Sequence, residues 1–138
     1  MTITRACMCA AIIVGGLALR GLGLRLALPA FIVKYGGSML WGAMVLFLVA
    51  LAAPRLSRPG MALIAASIAV AVELFRLIHT PGLDAFRLTL AGALLLGRIF
   101  SAWDFVAYGV GIVFAMALDR FSAGLSSNSP PLSLPSSR

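Results

Sequence analysis

The chain has 138 residues, of which 62% are apolar and only 11% charged. A soluble domain carries about a quarter charged residues and interrupts its apolar runs to make a polar face, so a water-soluble core is excluded as the frame for this sequence. The net charge of +7 comes from ten Arg and one Lys against four acids. These bases stand singly between apolar runs, without clusters or interleaved aromatics. That argues against nucleic acid and for basic residues marking the ends of membrane spans, beside anionic headgroups.

The first apolar run is Ala6 to Leu19, behind Arg5. If Arg5 snorkels, the usable span reaches back to Thr2. Arg20 stands where a small-residue cleavage site would be needed, so the run is expected to remain as a helix rather than be removed. Cys7 and Cys9 fall on different sides of that helix and read as small apolar residues. Arg20 to Tyr35 reads as a connector, with Leu26 to Val33 too short to cross and suited to the interface.

The second run is Gly36 to Ala53, with Trp41 near its start as an interfacial anchor. Pro54 ends it, and Arg55 and Arg58 bracket a turn. Pro59 then suits the first turn of the third run, Met61 to Ile78. The segment His79-Thr80-Pro81-Gly82 stops that helix. Between Leu83 and Phe121 lie 39 residues, too few for two crossings and a turn. The expectation is a short re-entrant or interfacial helix over Asp84 to Gly97, with Asp84 as its N-cap, and a fourth full span over Ala102 to Leu118.

The expected fold is therefore all-α: a polytopic membrane helix bundle of about four transmembrane helices plus one short re-entrant or interfacial helix. It occupies residues 1–121, and residues 122–138 form a Ser/Pro-rich tail without apolar period, expected to be disordered. The cations divide five against six between the two sides, so the positive-inside rule gives no orientation.

Acids inside the membrane carry the functional interest, because each costs about 2.5–3.5 kcal/mol at mid-span and must face the interior. Glu73 and Arg76 share a face at i, i+3, and Asp84 and Arg87 repeat the spacing. Asp104 is followed on one face by Tyr108, Gly111 and Ala115, a polar end running into a seam of small residues suited to helix packing. The expected site is an intramembrane polar pocket made by Glu73, Arg76, Arg87, Asp104 and Tyr108. Such a pocket suits an anionic lipid headgroup, a lipid-linked ligand or a proton relay. The structural alternative is a set of ion pairs that fixes helix register. Asp119, closing the last helix, is expected to lie at an exposed end. His79 reads as an interfacial polar residue. No nucleophile–base pair, metal-spaced cluster or phosphate loop is found, so no catalytic residue, metal or cofactor is expected and the reading leans away from an enzyme.

The stretch from Glu73 to Arg87, reading ELFRLIHTPGLDAFR, then Leu96-Gly97, Phe100, Asp104, Tyr108 and Gly111, resembles a family of small bacterial membrane proteins, domain-of-unknown-function 2809. Lys34-Tyr35-Gly36-Gly37 and Leu40-Trp41 fit the same pattern, and the resemblance spans roughly residues 12 to 118. The chain departs from it at Gly37-Ser38, where the family has Gly-Asp, and at Glu73 with Arg76, where it has Glu-x-x-Gln. A more distant likeness is to the VanZ-like family. The resemblance implies a multi-pass protein of the bacterial inner membrane and no known activity. Two functions are expected to compete: contact with a lipid or a lipid-linked envelope group, and a small transporter or channel subunit working as an oligomer.

Overall fold

The computed structural model describes residues 2–23, 25–89, 91–92 and 100–127. These residues form α1 (Thr2–Gly23), α2 (Ala30–Ala52), α3 (Arg58–Phe75), the short α4 (Pro81–Leu88) and α5 (Ala102–Ser127). The described residues are all-helical apart from turns and connectors. Four of the helices, all but α4, are long and apolar enough to cross a membrane. At 18 residues α3 is the shortest of the four; at 1.5 Å per residue it measures about 27 Å, close to the thickness of a hydrocarbon core.

Local sequence explains most of the boundaries. Ser57 caps α3, its hydroxyl accepting from Gly60 N at 3.3 Å, with Pro59 in the first turn where a missing N–H does no harm. Thr80 caps α4 in the same way, accepting from Leu83 N, with Pro81 following. Asp84 is thus not the cap expected from sequence but a first-turn residue, favourably placed against the helix dipole.

The connector between α1 and α2 is much shorter than the stretch Arg20–Tyr35. Helix α1 continues to Gly23, and α2 begins at Ala30 immediately after Pro29, which occupies the N-cap position at φ −52° and ψ 133°. Pro29 thus starts a helix instead of breaking one, and the cationic heads of Arg20 and Lys34 sit on helical turns. Ala27 takes a left-handed φ of 52° in the turn between them. No separate interfacial segment exists at residues 26–33, and Trp41 falls in the middle of α2 rather than at its end.

Helix α4 ends at Leu88, and Thr89 closes it by donating its hydroxyl to the Phe86 carbonyl at 2.6 Å. The expected helix over 84–97 therefore starts earlier and breaks at Thr89; helix resumes at 91–92, and 93–99 lie outside the described residues. The backbone N–H of Ser101 donates to Glu73 Oε1 at 2.9 Å. The chain thus returns to the end of the bundle it left at the close of α3, which agrees with a segment that does not cross. At the other terminus, α5 runs on to Ser127, past the tail boundary placed at Ser122. Ser122 lies within the helix, its hydroxyl donating back to the Asp119 carbonyl at 3.0 Å, and no Pro intervenes before residue 130.

Helix α2 is the central element and packs against α1, α3 and α5. Its Ala43, Leu46, Phe47 and Ala50 are buried, and Phe47 is wholly so. Helix α3 offers Met61, Ala65, Ala69 and Glu73, a row at four-residue spacing whose small members let α3 approach closely. Helix α5 offers the face Asp104, Tyr108, Gly111 and Ala115 that its sequence pattern predicted, all buried. Where α5 crosses α2 the backbones meet: a Cβ on Gly42 would lie 2.8 Å from the Tyr108 carbonyl oxygen, and one on Gly111 would collide with the Met39 carbonyl. Only glycine fits at that crossing, and the contact fixes the register of both helices.

Candidate functional site

The crossing of α2 and α5 brings the intramembrane acids together at one end of the bundle. Glu73, in the last turn of α3, is completely buried, and Asp104, in the first turn of α5, is 1% exposed. Arg76, one residue past α3, bridges them: its Nη1 donates to Glu73 Oε2 at 2.6 Å and to Asp104 Oδ2 at 2.9 Å. The Tyr108 hydroxyl donates to Glu73 Oε2 at 3.0 Å, and Ser38 Oγ lies 3.2 Å from both Asp104 Oδ1 and the Lys34 carbonyl, its one proton shared between them. With Ser101 N on Glu73 Oε1, all four carboxylate oxygens accept a hydrogen bond from the protein itself. A buried charge needs this degree of satisfaction to be tolerated.

Four of the five residues expected in the pocket thus converge: Glu73, Arg76, Asp104 and Tyr108. Arg87 does not join them. It is buried, but its Nη1 donates to the Ile78 carbonyl at 2.9 Å and to Asp84 Oδ1 at 3.1 Å, and its Nη2 donates to the Phe75 carbonyl at 2.8 Å. These carbonyls belong to the C-terminal end of α3 and the turn after it, where the helix has no further N–H groups to offer. Arg87 therefore closes α3 from α4, and its guanidinium lies over the Phe75 ring. His79 and Asp84 meet at 3.3 Å on the exposed side of this turn.

A second polar cluster, not anticipated from sequence, sits at the opposite end. Asp119 is 3% exposed rather than at an open helix end. Arg5 grips it with two bonds, Nε to Oδ1 at 2.7 Å and Nη2 to Oδ2 at 3.1 Å, while its Nη1 reaches the Ala50 carbonyl at 3.3 Å. Arg58 adds a third bond, Nε to Oδ2 at 3.1 Å. One carboxylate thereby ties α1, α3 and α5 together. Asp119 continues the Asp104–Tyr108–Gly111–Ala115 row by four residues, and that periodicity was the available signal.

Between the clusters the bundle axis is apolar, filled by Leu46, Phe47, Ala65, Ala69, Ile112 and Ala115. Two cavities lie on its flanks. A groove of about 330 Å³ runs between α1 and α2 and is bordered by Ala91 from beyond α4, with Arg20 and Trp41 in an otherwise apolar lining. A second, about 490 Å³, runs between α2 and α5 past Phe31, Tyr35, Gly36, Met39 and Trp103. Among the described residues no group of three His, Cys, Asp or Glu side chains is placed to hold a metal ion.

The sequence matches, over residues 27–112, a family model described as protein of unknown function (DUF2809). That is more than half of the chain. The chain belongs to the DUF2809 family. No solved structure matches it. The DUF2809 match is narrower than the 12–118 read from the motifs. It takes in α2, α3, α4 and the first part of α5, hence the whole Glu73–Arg76–Asp104–Tyr108 cluster and Arg87. Helix α1 and the Arg5–Asp119 clamp fall outside it. Within the matched stretch, Ser38 and Arg76 are both direct partners of Asp104.

Proposed function

We propose that this DUF2809 protein is a multi-pass protein of the bacterial inner membrane that binds lipid on its flanks, with a polar interior that serves as scaffold. The observation that carries this is the contrast between a satisfied interior and open grooves. Every oxygen of Glu73 and Asp104 is already occupied by a donor of the chain. The cluster first read as a ligand pocket is thus filled by its own side chains. A path for a polar solute along the axis would have to displace Leu46, Phe47, Ile112 and Ala115, which separate the two charged ends. This disfavours the transporter reading for a single chain. The grooves beside α2 have apolar walls suited to an acyl chain, and exposed Arg25 and Lys34 stand at the end of the bundle where α1 turns into α2, where anionic headgroups would lie.

The test is native mass spectrometry of the full chain released from membranes in mild detergent. The expected result is a protein peak carrying lipid-sized adducts that survive the removal of detergent. Bare protein at every collision energy, together with solute flux in proteoliposomes above the protein-free rate, would overturn the lipid reading in favour of transport.

A further inference from the structure

We infer that the groove between α2 and α5 seats one acyl chain of an anionic phospholipid, with the phosphate at the rim beside Lys34 and the Tyr35 hydroxyl. This rests on the lipid-binding reading above and adds to it a place and a ligand class.

The groove is the wedge left where two parallel helices part. At one end of the bundle Ser38 of α2 meets Asp104 of α5, and at the other Arg5 holds both the Ala50 carbonyl and Asp119, so α2 and α5 run in the same direction. Their backbones touch part-way along, where Gly42 lies against Tyr108 and Gly111 against Met39. Between that crossing and the two helix starts, a groove of about 490 Å³ opens between them. Its walls include Phe31, Ile32 and Met39 from α2 and Trp103, Val106 and Val110 from α5. Met39 stands eight residues beyond Phe31, about 12 Å at 1.5 Å per residue. One leaflet contributes about 15 Å of hydrocarbon. The groove therefore runs through most of one leaflet and is stopped near mid-membrane by the glycine crossing. That depth fits an acyl chain entering from one surface.

The rim supplies the headgroup chemistry. Lys34 is exposed in the second turn of α2, and its ammonium lies 5.1 Å from the centre of the Tyr35 ring, which itself lines the groove. Among the described residues that ring is the contact of the ammonium, and the Tyr35 hydroxyl makes no hydrogen bond. Both are donors suited to phosphate oxygens. The acids at this end are engaged elsewhere: Glu73 and Asp104 with Arg76, and Asp84 with Arg87. The charge of Lys34 is thus left to face the headgroups, and it favours an anionic over a zwitterionic lipid. Phe31 and Trp103, both exposed, stand on the two walls in the first turns of their helices. An indole at that level serves an apolar chain and a polar head at once.

The experiment is a native mass-spectrometric titration of delipidated full-length protein with two probes, a phosphatidylglycerol and a phosphatidylcholine of the same acyl chains. Folding of each variant is checked by its melting curve in the same detergent. The first lipid bound by the wild type should be phosphatidylglycerol over phosphatidylcholine by about fivefold, the scale of one basic residue facing an anionic lipid. Lys34→Gln should bring the two lipids level, whereas Arg25→Gln, at an exposed cation outside the groove lining, should keep the preference. Val110→Trp and Ile32→Trp fill the groove from its two walls and should each weaken the first phosphatidylglycerol by about tenfold or more. Val113→Trp, an equal change on α5 outside the lining, should leave it unchanged. Wild-type affinity in both groove-filled variants, or a preference that Arg25→Gln removes and Lys34→Gln does not, would overturn this site while leaving the lipid reading intact. Failure of the wild type to retain either lipid would overturn both.

Discussion

Replacing Asp119 by Asn tests the clamp that closes the bundle opposite the acidic cluster. The side chains of Arg5 and Asp119 are 8% and 4% exposed and share two short bonds, so the Asn leaves a buried guanidinium without a counter-charge, facing an amide N–H₂ in place of one oxygen and with only neutral acceptors, the Asn amide oxygen and the Ala50 carbonyl. Breaking a buried pair costs about 3–5 kcal/mol in soluble proteins. Two effects reduce that here. Polar contacts between helices in lipid are smaller, about 0.6 kcal/mol on average and up to about 1.7. Arg5 also lies near the helix end and can snorkel toward water. The Arg58 bond adds little, since that side chain is 38% exposed and such pairs contribute about 0–1 kcal/mol. The expected loss is therefore about 2–3 kcal/mol, below the soluble-protein range and above that of a single polar contact in lipid. The assay is unfolding free energy in bicelles, measured by steric trapping, with exposed Arg120→Gln as the control, expected within about 0.5 kcal/mol of wild type. The double change Arg5→Met with Asp119→Leu should recover most of the loss, because an apolar pair removes both buried charges. If Asp119→Asn matches the Arg120→Gln control, the clamp carries no stability and the reasoning fails.

Three further outcomes follow from the geometry. Tyr108→Phe removes the donor to Glu73 without changing packing and should cost about 1 kcal/mol in the same unfolding measurement. Gly111→Ala drives a methyl into the Met39 carbonyl and should destabilise strongly, whereas Gly109→Ala, with nothing within reach, should be neutral or slightly stabilising through helix propensity; equal effects would refute the close crossing of α2 and α5. Arg87→Gln withdraws the cover on the Phe75 and Ile78 carbonyls, so amide hydrogen exchange should quicken between residues 76 and 82 while the core of α2 remains protected.

The sequence carried the large features because they depend on local pattern. Four apolar runs predict four long helices, the i, i+3 spacing of Glu73 and Arg76 puts both on one face, and the row Asp104, Tyr108, Gly111, Ala115 names the packing face of α5. What it hid depends on encounters at long range or on backbone. Asp119 meets Arg5 across 114 positions, and no periodicity reveals which cation faces a helix end. Charge pairing predicts Arg87 as a partner for Glu73; its donors go instead to Asp84 and to carbonyls at the end of α3, which any residue type supplies. Pro29 in the apolar stretch Leu26 to Val33 is ambiguous, because a proline at a helix start looks the same in a sequence as one that ends a helix. An apolar run starting at Gly36 predicts Trp41 at an interface, but α2 begins at Ala30, which carries the indole to mid-span.

The bundle depends on the chain coming back, after α4, to the side it left at the end of α3. Sidedness of single cysteines in a Cys7→Ser, Cys9→Ser background decides this directly, using an impermeant maleimide on sealed vesicles. Positions 25, 80 and 100 should react from one face of the membrane and positions 55 and 120 from the other. Reaction of 80 and 100 from opposite faces would mean that the intervening segment crosses, separate Glu73 from Asp104, and contradict the shared cluster around Arg76.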